Sequence, residues 1–169
     1  MSAVVKTAVP EESALRPLVS RAFFSDAFVA PLHDATLTPT EVFLRTLRAT
    51  PGWVRLLMAL RNRIARRLGL KAVGPPPGAR EKSAGAYRIG DRIGIFSIVG
   101  QTQNELVMGI DDSHLDVRVS VMKALDRVKP SYVISTVVTV HNALGRAYMA
   151  PVERVHPFVV KAMMRRARV

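Results

Sequence analysis

The sequence predicts an α+β domain: a curved antiparallel sheet covered by a long C-terminal helix, with two helices between the first and second strands. Three observations carry this. Leu115, Val117, Val119 and Val121 alternate with His114, Asp116, Arg118 and Ser120, and a period of two over eight residues describes a half-buried strand. Residues 131–140, SYVISTVVTV, form the most β-branched run in the chain. Two hydroxyl-proline starts, Thr38-Pro39 and Thr50-Pro51, open helical patterns before the glycine-rich strand region.

In chain order, Pro10 and Pro17 limit any early helix to a short turn around Ser13–Arg16. RAFFSDAFVAPL, residues 21–32, is aromatic and β-favouring and reads as the first strand. Pro31 marks that strand as an edge or its terminus. Thr38 supplies an N-cap, Pro39 the first helical position and Glu41 the return arm of a capping box, with Val42, Phe43 and Leu47 facing a core. From Trp53 onward, Leu56, Leu57, Leu60, Ile64 and Leu68 recur at helical spacing. This predicts a buried stripe, with Arg55, Arg63, Arg66 and Arg67 turned to solvent and Gly69 as the stop. Residues 71–85 hold three consecutive prolines and read as a loop.

Glu105 to Val121 predicts a hairpin whose apolar rows must meet. A two-residue turn would pair Met108 with Leu115 and Glu105 with Arg118; a four-residue loop would pair Ile110 with Leu115. Both keep the faces matched. Residues 131–140 are apolar on both faces and belong at the sheet centre. In the last segment, Pro151 to Arg168, Val152, Val155, Val159 and Met163 form a helical stripe, and Pro157 kinks or begins that helix.

The 169 residues suit a single domain, 1–169, with a substantial core. No apolar run approaches the roughly 18 residues of a membrane helix, and the N-terminus lacks the pattern of a secretory signal. Cysteine is absent, which excludes disulfides and thiol chemistry and fits a cytoplasmic location. The formal charge is +12. Residues 44–82 hold ten Lys/Arg against Glu81, and Lys161, Arg165, Arg166 and Arg168 crowd the tail. Such a field can attract anionic surfaces or acidic partners, but with no recognition motif beside it a solvated basic face is the favoured reading.

His114 and Asp116 share a strand face but stand roughly 7 Å apart, too far for a direct acid/base pair. His141 follows the buried strand and His156 precedes Pro157, so the two could meet at one end of a cavity; His33 stands beside Asp34 in a loop. The histidines lack metal-ligand spacing, and no phosphate loop or nucleophile elbow is present. No cofactor or metal is expected. Nor is specific nucleic-acid binding, because surface aromatics are few.

TPGWVRLLMALRN, NELVMGIDDSHLDVRVSV and TVVTVHNALGRAYMAPVERVHPFVVKAMMRRA occur in that order over residues 10–168. Together they resemble a bacterial family of unknown function grouped with START-like, polyketide-cyclase-like (SRPBCC) helix-grip proteins. The resemblance implies a sheet gripping the C-terminal helix around an apolar cavity. His141, His156, Val159, Met163, Met108 and Trp53 are then the cavity candidates. The expected function is binding of a small hydrophobic or amphipathic ligand. Alternatives are a cyclase- or dehydratase-like enzyme using dispersed His and Asp residues, and a basic surface protein with weak contact to anionic membrane. The resemblance assigns no catalytic residue, and the sequence leaves the oligomeric state open.

Overall fold

A computed structural model describes residues 4–67, 82–125 and 129–169, with backbone alone for 64–67. The strands are β1 (Val5–Thr7), β2 (Phe24–Pro31), β3 (Arg92–Ile93), β4 (Phe96–Gln101), β5 (Glu105–Asp111), β6 (Leu115–Ala124) and β7 (Ser131–Val140). They form one curved, open antiparallel sheet in the order β1-β2-β7-β6-β5-β4-β3. Helices α1 (Pro39–Arg48) and α2 (Gly52–Arg67) lie between β2 and β3, and α3 (Ala143–Arg166) closes the chain. The predicted α+β arrangement is therefore the one observed. Gly69, the loop at 71–81, and the side chains of Ile64, Arg66, Arg67 and Leu68 lie outside the described residues.

β7 sits between β2 and β6 and buries its first eight residues, as a strand apolar on both faces must. On one face, Phe28, Ile98, Leu106, Met108, Val121 and Ile134 meet Val42 and Phe43 of α1 and Val160 and Met164 of α3. Each such side chain contributes about 1.5–3 kcal/mol on burial, so α1 and the C-terminal half of α3 are the firm cover. The α1 start forms as expected: Thr38 Oγ1 accepts from Glu41 N at 3.2 Å, and Glu41 Oε2 accepts from Thr38 N at 2.7 Å. The bonds that Thr38 N and Thr38 Oγ1 donate to Glu41 Oε2 hold the Glu41 carboxyl below its ordinary range.

The other face has a cover the sequence reading missed. Val9 and Leu15 pack on Ala27, Val107, Val133 and Val137, and a 3-10 turn, Arg16–Arg21, follows. The short turn expected around Ser13–Arg16 is present, closed by Arg16 N donating to Ser13 O at 2.9 Å, and the 3-10 helix continues from it. Ser13 Oγ and Ser120 Oγ donate to Glu105 Oε1 at 2.6 and 2.5 Å, and Ala14 N donates to Oε2 at 3.1 Å. A buried carboxylate thereby ties the N-terminal stretch to the sheet.

The β5–β6 register differs from both expectations. Ile110 faces Val117 and Met108 faces Val119, so Glu105 lies opposite Met122, not Arg118. The shift is even, so the apolar faces still meet. The turn is closed by Asp112 N donating to Leu115 O at 3.1 Å; beside it His114 is 3% exposed, stands edge-on to Tyr148 at 5.9 Å and accepts at its carbonyl from His141 N at 3.0 Å. Arg118 pairs instead with Asp111 at 2.6 Å. The row from His114 to Ser120 is thus not a solvent face, since Ser120 is fully buried.

Two further expectations give way. The last helix begins at Ala143, before both prolines, because Asn142 Oδ1 caps Gly145 N at 3.0 Å. Pro151 and Pro157 stand inside it. The α2 stripe is largely exposed rather than buried: Trp53 is 45% and Leu56 71% exposed. With α1 and α3 already on the sheet, Val54 is the α2 side chain that is deeply buried among the described residues.

Candidate functional site

The apolar side chains of α2 that the sheet does not take border a groove against α3, from Leu144 to Val159. Its volume is about 460 Å³, within the roughly 300–1,000 Å³ usual for small-molecule sites. Val54, Leu57 and Leu60 form one wall, and Ala147, Val152 and Val155 belong to the other. Arg61, Tyr148 and His156 are the polar members of the lining. No strand residue lines it, so this groove is interhelical, in contrast to the expected cavity between sheet and helix.

Helical geometry places the polar groups along the groove. Tyr148 and His156 are eight residues apart on α3, or about 12 Å at 1.5 Å per residue. At the Tyr148 position, Arg61 Nε donates to the phenolic oxygen at 2.9 Å, and the guanidinium lies 5.3 Å from the ring centroid. Arg61 Nη1 also donates to Asn62 Oδ1 at 3.1 Å. This contact ties α2 to α3, and the ring of His114 beneath Tyr148 ties both to the β5–β6 loop.

At the His156 position, Nδ1 lies 2.9 Å from Asp26 Oδ2. Asp26 is 5% exposed, faces Thr136 across the β2–β7 ladder, and leaves Oδ1 buried without a hydrogen-bond partner. Phe24, two residues earlier on the same strand face, meets the imidazole edge-on with centroids 5.5 Å apart. A carboxylate that accepts from one ring nitrogen fixes the orientation of the ring and leaves the other nitrogen for a ligand.

Of the residues singled out from sequence, His156 and Val159 line this groove. His141 does not join His156: its Nε2 lies 3.0 Å from Asp116 Oδ2, and Asp116 is on the sheet face opposite to Asp26. Met108 is fully buried beneath the helices. Met163 is half-buried, and Trp53 stands outside the groove lining. His114 pairs loosely with Asp112 at 3.6 Å rather than with Asp116. The dispersed His and Asp residues therefore do not converge on one centre.

Asp26, Arg61 and Tyr148 were missed. Asp26 had a signal: a lone carboxylate in phase with Phe24, Phe28 and Ala30 on an otherwise apolar strand face. Among the described residues, no group of three or more His, Asp or Glu could hold a metal ion, and no helix is long and apolar enough to cross a membrane.

No curated protein and no solved structure matches the chain. Residues 18–163, most of its length, match the model of a family described as a protein of unknown function (DUF2867), and the chain belongs to that family.

Proposed function

We propose that the protein binds a small apolar or amphipathic molecule in the groove between α2 and α3. The relation to START-like, polyketide-cyclase-like helix-grip proteins is part of this proposal, and the antiparallel sheet with its C-terminal helix is consistent with it. One observation carries the reading: an apolar groove of about 460 Å³ has its few polar groups gathered at Arg61–Tyr148 and at His156. A groove of that composition gains by burying a hydrocarbon surface and orients it by its polar groups. The test is a thermal-shift series with medium-chain and alicyclic compounds. A ligand at 100 times its Kd adds about 2.7 kcal/mol to stability, and no shift with any of them would refute the reading.

A second reading rests on the outer side of α2. Trp53 and Leu56 are 45% and 71% exposed, stand outside the groove lining at helical spacing, and lie on the same helix as exposed Arg55 and Arg63. An apolar stripe flanked by arginines suits the surface of an anionic bilayer. Sedimentation with anionic vesicles should carry the protein down at low salt, and Leu56→Ser with Arg63→Gln should release it. Equal recovery with zwitterionic vesicles would contradict this contact.

A further inference from the structure

We propose that the groove's ligand carries a hydroxyl group, which donates to Nε2 of His156, and that Asp26 is the positioning residue for that ring. This rests on the groove reading and names the class of ligand. Asp26 is buried in β2, and its Oδ2 lies 2.9 Å from His156 Nδ1. With Asp26 as the acceptor, the bond is donated by His156 Nδ1. Phe24 packs edge-on to the same ring. The nitrogen on the far side of the ring, Nε2, is the polar atom left to face the groove that His156 lines. With the proton on Nδ1, Nε2 is left with a lone pair, as in other carboxylate-oriented histidines.

That lone pair selects among ligands. A hydroxyl donates to it; an ether, a ketone or a carboxylate has only acceptors to offer. The buried, unpartnered Oδ1 of Asp26 adds negative potential behind the ring, which further disfavours an anion there. Val152, Val155 and Val159 supply the neighbouring apolar wall, so the hydroxyl belongs to an alkyl or alicyclic alcohol.

The test compares 1-octanol with 1-methoxyoctane, its methyl ether, by calorimetry on the full chain. The wild-type protein should prefer the alcohol by about three- to ten-fold, the worth of one neutral hydrogen bond. His156→Phe should bring the ratio to about one. Asp26→Asn should shrink the ratio. The wild-type ratio needs no variant, so a folding defect in either substitution leaves the test whole. Equal binding of alcohol and ether by the wild type overturns the anchor but keeps the groove. Binding of neither overturns both.

Discussion

Gly145 in the first turn of α3 offers a sharp test of how that helix is seated. A Cβ built there would collide with the carbonyl oxygen of His114 and stand 2.9 Å from Val140 Cγ1 and 3.1 Å from the His114 carbonyl carbon. The obstructing atoms are largely backbone, and that backbone is itself fixed by the bond from His141 N to His114 O at 3.0 Å. In Gly145→Ala, α3 must lift from the ends of β6 and β7. That strains the Asn142 cap and the bond from Asn142 Nδ2 to Ser113 O at 3.1 Å. Overpacking of this kind costs about 1–3 kcal/mol, and alanine's better helix propensity returns about 0.8–1 kcal/mol. Because the nearest obstruction is rigid backbone, the upper end of that cost applies, and the net loss should be about 2 kcal/mol, or a Tm lowered by roughly 4–8 °C in a domain of this size. Gly85→Ala is the control, since a Cβ there meets nothing within 4 Å. Urea denaturation of both variants measures the difference. A Gly145→Ala protein as stable as the control would refute the close seating of α3 on the β5–β6 loop.

Tyr132 is 1% exposed, and burial pushes its phenol up to about 12. Its neutral form is thus favoured in the fold: the contribution is complete below the ordinary tyrosine range and is lost as pH climbs from about 10 toward 12. Wild type should lose about 1.4 kcal/mol more than Tyr132→Phe between about pH 8 and pH 11, and urea titrations at both pH values check it. Glu105→Ala removes the acceptor shared by Ser13, Ser120 and Ala14 N. It should cost about 1–3 kcal/mol and speed hydrogen exchange around Leu15. Thr38→Ala breaks the α1 capping box and should cost about 1 kcal/mol, read in the same urea assay.

The sheet was legible because its strands carry their burial in a period of two, and the α1 start because Thr38, Pro39 and Glu41 form a local signal. What failed depended on tertiary competition. The α2 stripe looks like any core-facing stripe, but α1, through Phe43, and α3, through Met164, already fill the sheet face it would need. Pro151 and Pro157 argued for a later helix start; the Asn142 cap outweighed them, and packing on the sheet sustains the helix across both residues. The hairpin register was missed because alternation fixes which faces meet but cannot count rungs. At the site, His156 was visible as a histidine near the closing helix. Its partner Asp26 lies 130 residues earlier, and only the β2–β7 pairing puts that strand under α3.

The measurement that bears most directly on the α2–α3 groove is an NMR titration of the labelled protein with 1-octanol. The groove reading predicts saturable shifts at Val54, Leu57, Val152, Val155 and His156, with the packed side chains Met108 and Phe43 unmoved. Saturable shifts centred on Met108 and Phe43, or no saturable shift at all, would contradict it.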